Sequence, residues 1–97
     1  MRVLIMRHGI AIDRDHPDCP TDGQRFLTDQ GIARTRQAAR GLRRLEVRPD
    51  RILTSPWRRA AETAAICREV LGLEPSQLQT SDALHPARHA AEMLAAL

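Results

Sequence analysis

The sequence predicts an α/β fold, a three-layer sandwich on a largely parallel sheet, and three observations carry that prediction. Short apolar runs alternate with helical patterns in the order βαβαβα, which closes most simply as parallel strands joined by crossover helices. The first of these runs, Val3 to Met6, is almost wholly apolar, without the alternation of a sheet that has one wet face, as expected of a strand covered on both sides. The composition, 42% hydrophobic and 28% charged over 97 residues, is that of an ordinary globular chain with a single core, so one domain over residues 1–97 is expected.

Residues 2–6, with Val3, Leu4, Ile5 and Met6 in succession, are the first expected strand. Residues 9–25 turn polar and carry Pro17, Pro20 and Gly23, so a long loop is expected, and long loops in compact domains usually carry function. Thr28 is a good N-cap, and Asp29 puts a negative charge at a helix N-terminus. A helix follows through about residue 46, with Ile32, Ala39, Leu42 and Leu45 on its apolar face and Arg34, Arg36, Arg40 and Arg44 opposite. Pro49 and Asp50 end it. Residues 51–54 are the second strand, and Ser55-Pro56 supplies an N-cap with proline in the first helical position. An alanine-rich helix over 57–71 comes next, stopped by Gly72, with Cys67 packed among Ala64, Val70 and Leu71. Residues 78–84 are a weaker third strand, and Pro86 opens a third amphipathic helix carrying Ala87, Ala90, Ala91, Leu94 and Leu97.

All 15 Lys-or-Arg positions are arginine and the net charge is +3, which suggests an anionic partner. Lys, Asn and Tyr are all absent, however, and all three are specified by AT-rich codons, so a compositional bias accounts for much of the excess. With only Phe26 and Trp57 available for base stacking, no nucleic-acid partner is expected. No apolar run is long enough to span a bilayer and none resembles a secretory signal, so a cytoplasmic location without a membrane partner is expected. Cys19 and Cys67 have no Cys or His at ligand spacing, so no metal is expected, and a disulfide is disfavoured in such a compartment.

Arg7-His8-Gly9 follows directly on the first strand, and open parallel sheets bind ligands beyond the carboxyl ends of their strands. Gly9 lets the backbone approach a ligand closely. The second strand runs into Thr54-Ser55-Pro56-Trp57-Arg58-Arg59, whose hydroxyls, helix N-terminal amides and arginines converge on the same sheet edge. A nucleophile-capable imidazole beside guanidinium forks suits a doubly charged phosphoryl group.

Three ordered motifs now form a pattern. Met6-Arg7-His8-Gly9 resembles the signature of the histidine phosphatase superfamily, also called phosphoglycerate mutase-like. Leu27-Thr28-Asp29-Gln30-Gly31 resembles its LTxxG helix start, and residues 55–64 resemble its SPxxRAxxTA segment. Ala11, the stretch Arg25-Phe26-Leu27-Thr28 and the compact length resemble the short SixA-like branch, whose members dephosphorylate phosphohistidine on proteins. The resemblance implies a phosphoglycerate mutase-like fold and no cofactor. It implies His8 as a nucleophile that carries a covalent phosphohistidine, and Arg7 and Arg59 as clamps on the phosphoryl oxygens with Gly9 beside them. The substrate would be a phosphorylated protein or a small phosphorylated metabolite.

Arg25 and Ser55 are further pocket candidates. Asp82 and His85 stand where the family usually has an acid near the end of the third strand, although an imidazole leaving group departs readily and lessens that need. Arg58, His16 and His89 are read as solvated. The family's second active-site histidine lies on a strand after the third helix, and the chain reaches Leu97 first. A fold lacking its C-terminal part is therefore expected, as a piece of a longer protein or completed by self-association through an exposed sheet edge. A non-catalytic phosphate-binding module is the competing reading.

Overall fold

The computed structural model describes residues 2–84. Over them the chain forms two helices, α1 (Asp29–Arg44) and α2 (Arg58–Leu71), and two strands, β1 (Ile52–Thr54) and β2 (Leu78–Thr80). Single turns of 3-10 helix stand at Asp22–Gln24, Pro75–Gln77 and Asp82–Leu84. The strands are parallel, with Ile52 opposite Leu78 and Thr54 opposite Thr80. Parallel neighbours need a crossover, and α2 supplies it, packing on both strands while α1 packs on α2. This is the α/β arrangement that the alternating pattern predicts.

Local chemistry sets the helix ends. The Thr28 hydroxyl accepts the Gly31 N–H at 3.0 Å and starts α1 as expected. At the other end Glu46 takes φ 60, with its N–H on the Arg43 carbonyl and the Val47 N–H on the Leu42 carbonyl, each at 3.0 Å. This is a Schellman stop with glutamate where glycine is preferred. Glu46→Gly is therefore expected to raise stability by about 1 kcal/mol, read from urea unfolding. The buried stripe of α1 is Gly31, Thr35 and Ala39, one residue per turn. Ile32 and Leu42 flank it half-buried. Leu45, expected on the apolar face, is 76% exposed because it is the C-cap, where the chain has already left the helical path.

In α2 the expected cap moves by two residues. Ser55 does not cap the helix: its hydroxyl accepts the Trp57 N–H at 3.1 Å, and Trp57 is the N-cap, its carbonyl accepting from Ala60 and Ala61. The serine thus closes a turn before the helix, a use of Ser that competes with capping. Gly72 ends α2 at φ 70, as its position predicts. Ala64, Ile66, Cys67 and Leu71 are buried along it. Burial raises the Cys67 thiol above its ordinary pKa, and both cysteines are free.

Two expectations need correction. Residues 2–6 are not a strand: Leu4 is 62% and Ile5 81% exposed. A strand exists only through its ladder, and the described sheet pairs β1 with β2 alone, so the intrinsic preference of Val3 and Ile5 has nothing to act on. The third strand is also shorter than 78–84, because Asp82–Leu84 turns into a 3-10 helix with Leu84 N–H on the Ser81 carbonyl. The expected third helix, with His85 and His89, lies outside the described residues.

Candidate active site

Residues 6–11 cross the crevice between α1 and α2 and are fixed from both sides. On the α2 side, the Cys67 thiol donates to Met6 Sδ at 3.5 Å and the Gly9 N–H donates to Thr63 Oγ1 at 3.0 Å. Thr63 Oγ1 in turn donates to the Arg59 carbonyl at 2.8 Å. On the α1 side, the Ile10 carbonyl accepts the Thr28 N–H at 2.9 Å, and Ala11 forms an antiparallel bridge with Leu27. Two glycines make this crossing possible. A Cβ on Gly9 would stand 2.5 Å from Thr35 Oγ1, and one on Gly31 would collide with the Ile10 carbonyl oxygen. The close approach expected of Gly9 is thus made to α1.

His8 sits in the middle of this crossing and is exposed. Its Nδ1 lies 2.8 Å from the Gly9 carbonyl oxygen. A carbonyl can only accept, so Nδ1 is the donor in this contact and Nε2 is the ring nitrogen left outside it. Arg7 and His8 line an open groove of about 400 Å3 with Gly9, Arg34, Thr35 and Ala38. A second depression, of about 410 Å3, lies at the C-terminal ends of α1 and α2, away from these residues.

Arg59 is buried in the first turn of α2, its side chain 8% exposed. Its Nη1 donates to the Asp22 carbonyl at 2.7 Å, and its guanidinium lies 4.2 Å over the Trp57 ring. Burial lowers the Arg59 pKa, opposed by the Asp22 charge, and the guanidinium stays protonated. Arg25, a pocket candidate, holds the loop: Nε donates to the Ile12 carbonyl at 2.9 Å and Nη1 reaches the Asp22 carboxylate at 3.2 Å. Arg14 Nε meets the same carboxylate oxygen at 3.2 Å. Arg58 pairs with Glu62 at 3.7 Å and lies over Phe26.

The structure thus joins the backbone of His8-Gly9 to the turn of α2 that bears Arg59, through Thr63. It does not bring the guanidinium of Arg7 into contact with that of Arg59. Ser55 is engaged with Trp57, and Asp82 is exposed in the turn after β2. Thr63, Glu62 and Asp22 carry structural roles that sequence reasoning did not assign. Thr63 and Glu62, the latter accepting the Leu27 N–H at 2.8 Å, lie inside the third motif, which was the available signal. Asp22 had none. No group of three or more potential metal ligands occurs among the described residues, and none of their helices is long and apolar enough to cross a membrane.

Partial desolvation pushes the Asp22 carboxyl upward, but hydrogen bonds from Arg25 and Arg14 and the charges of Arg14 and Arg59 outweigh it and leave the pKa lowered. Stability from a lowered carboxyl is complete above its ordinary value and fades as the pH falls through the lowered one. The penalty of Asp22→Asn, read from urea unfolding, is expected at pH 7 and shrinks below about pH 4.

Known proteins resemble this chain in sequence and in fold. The phosphohistidine phosphatase SixA of Escherichia coli K12 is 36% identical over 86 residues, covering 89% of this chain and 50% of the relative. An uncharacterized protein of Picosynechococcus sp. is 42% identical over 80 residues, covering 81% of this chain and 47% of that protein. The chain spans about half the length of the curated relatives it matches. The solved structure of the protein histidine phosphatase SixA complexed with tungstate superimposes with a TM-score of 0.80 at 32% identity, over 94% of this chain and 55% of that one. The family profile described as histidine phosphatase superfamily (branch 1) matches residues 3–85, beginning in the apolar run before His8. With the Arg-His-Gly crossing, the capped LTxxG start and the Arg59 turn all inside that match, the chain belongs to the histidine phosphatase superfamily.

Proposed function

We propose that the protein is a phosphohistidine phosphatase in which His8 takes the phosphoryl group from a histidine of a protein substrate and Arg7 and Arg59 hold its oxygens. The observation that carries this reading is the Nδ1 contact of His8 with the Gly9 carbonyl at 2.8 Å, which reserves Nε2 as the nucleophile. The tungstate held by one structural relative, a tetrahedral oxyanion like phosphate, supports an oxyanion site in this fold. Nε2 attacks phosphorus, the P–Nε2 bond forms, and the bond to the substrate imidazole breaks with its electron pair leaving on that ring, which takes a proton from water. Water then attacks phospho-His8, releasing inorganic phosphate and returning the imidazole.

An imidazole leaves without strong acid assistance, whereas an alkoxide does not. Asp82, exposed in the turn after β2, has no acid-positioning partner in the described geometry. Phosphate release from a phosphohistidine peptide is therefore expected to exceed that from phosphoserine peptides and sugar phosphates by about a hundredfold or more in kcat/KM. Equal turnover of the esters by the full-length protein would instead indicate a phosphatase of small metabolites.

A further inference from the structure

The 3-10 turn Asp22–Gln24 and the Trp57 ring close on Arg59 from two directions. Arg59 Nη1 donates to the Asp22 carbonyl at 2.7 Å, while the guanidinium lies 4.2 Å over the indole. The turn rests on the same ring, since a Cβ on Gly23 would stand 3.7 Å from Trp57 Nε1. Loop, indole and guanidinium therefore form a closed contact set.

The turn is itself anchored. Its Asp22 carboxylate receives Arg14 and Arg25 at 3.2 Å each, and Arg25 reaches on to the Ile12 carbonyl at 2.9 Å. The carboxylate stands 3.8 Å from Arg59 Nη1, beyond a hydrogen bond, so the short contact to Arg59 is the backbone oxygen. The Asp22 side chain thus orients the loop that orients Arg59. One carboxylate faces three guanidiniums, which leaves net positive charge beside the group. Among the described residues Nη1 is the hydrogen-bonded nitrogen of Arg59, and Nε and Nη2 keep their donors.

We propose that Asp22 and Trp57 are positioning residues for Arg59, holding its guanidinium by one nitrogen and one face so that the Nε and Nη2 donors are left for a phosphoryl group. A guanidinium held this way loses little further freedom when it binds an oxyanion. The inference rests on the reading of Arg59 as a phosphate ligand, and the test separates the two.

Inorganic phosphate binding to the full-length protein is measured by calorimetry for Asp22→Asn, Trp57→Leu, Trp57→Phe and Arg59→Gln, below the melting temperature of each variant. Hydrolysis of a phosphohistidine peptide is followed in parallel. Arg59→Gln is expected to weaken phosphate binding about tenfold or more. Asp22→Asn and Trp57→Leu are expected to weaken it about tenfold while still folded, and to raise KM more than they lower kcat. Trp57→Phe, which keeps an aromatic face, stays within about twofold of the parent. Folded Asp22→Asn and Trp57→Leu that bind phosphate as the parent does, while Arg59→Gln does not, would overturn the positioning roles and leave Arg59 a ligand. Parent-like binding by Arg59→Gln would remove the ligand reading and the positioning proposal with it.

Discussion

His8→Ala is expected to lower kcat for phosphohistidine hydrolysis by at least about a thousandfold, the scale on which removing a covalent nucleophile acts. Its cost to stability should be small. His8 is exposed, and its hydrogen bond is to the carbonyl of the next residue, so truncation opens no cavity and strands no buried group. The crossing of residues 6–11 is fixed by Met6, Gly9 and Ile10, and those contacts survive the substitution. Parallel melting curves and steady-state rates on the parent and variant check both halves. A folded His8→Ala that retains the parent rate would leave the proposed chemistry without its nucleophile.

Gly31→Ala is expected to destabilise the fold by about 3 kcal/mol, although alanine is the better helix former by about 1 kcal/mol. Gly31 lies in the first turns of α1, where propensity alone would favour alanine. The surroundings decide otherwise. The added Cβ would collide with the Ile10 carbonyl oxygen and stand 3.0 Å from the Ile10 nitrogen, both main-chain atoms that cannot rotate away. Relief requires residues 9–10 to lift off α1, which strains the Thr28 bond to the Ile10 carbonyl and the Gly9 bond to Thr63. His8 moves with them, so activity should fall together with stability. Gly41, in the same helix, is the control: nothing lies within 4 Å of its added Cβ. Gly41→Ala is expected to stabilise by about 0.5–1 kcal/mol. Urea unfolding of the two variants reads the opposite signs directly.

What the sequence made legible is what local chemistry decides. Thr28 caps α1 and Gly72 stops α2 because a hydroxyl and a left-handed residue act within four positions of themselves. The parallel β1–β2 pair was legible from two short runs separated by a helical pattern. Ser55 was read as the N-cap of α2 and is not, since a serine can serve the N–H two residues on as readily as a helix start. The run at residues 2–6 failed for a different reason: whether Val3 and Ile5 form a strand depends on a neighbour, and strand identity is not a property of the run itself.

Of the candidate site, His8, Gly9 and Arg59 were proposed from motif and position. The surroundings of Arg59 were not. Asp22 contributes through a backbone carbonyl 37 positions away in sequence, and a main-chain acceptor leaves no signature in residue type. The Trp57 ring carries the Arg59 guanidinium, a contact that residue type alone does not announce. Several of the arginines that first suggested a polyanion are engaged within the fold, among them Arg14 and Arg25 in loop anchoring, Arg58 paired with Glu62, and the buried Arg59.

The central claim is a covalent bond between phosphorus and His8 Nε2. It is tested most directly by quenching the full-length protein with its phosphohistidine substrate during turnover and locating the phosphoryl group by mass spectrometry under alkaline conditions that preserve phosphoramidates. The predicted result is one phosphoryl group on His8, absent from His8→Ala and chased to inorganic phosphate as the reaction completes. Phosphate released at the parent rate with the label never on His8, or held on another residue, would contradict it.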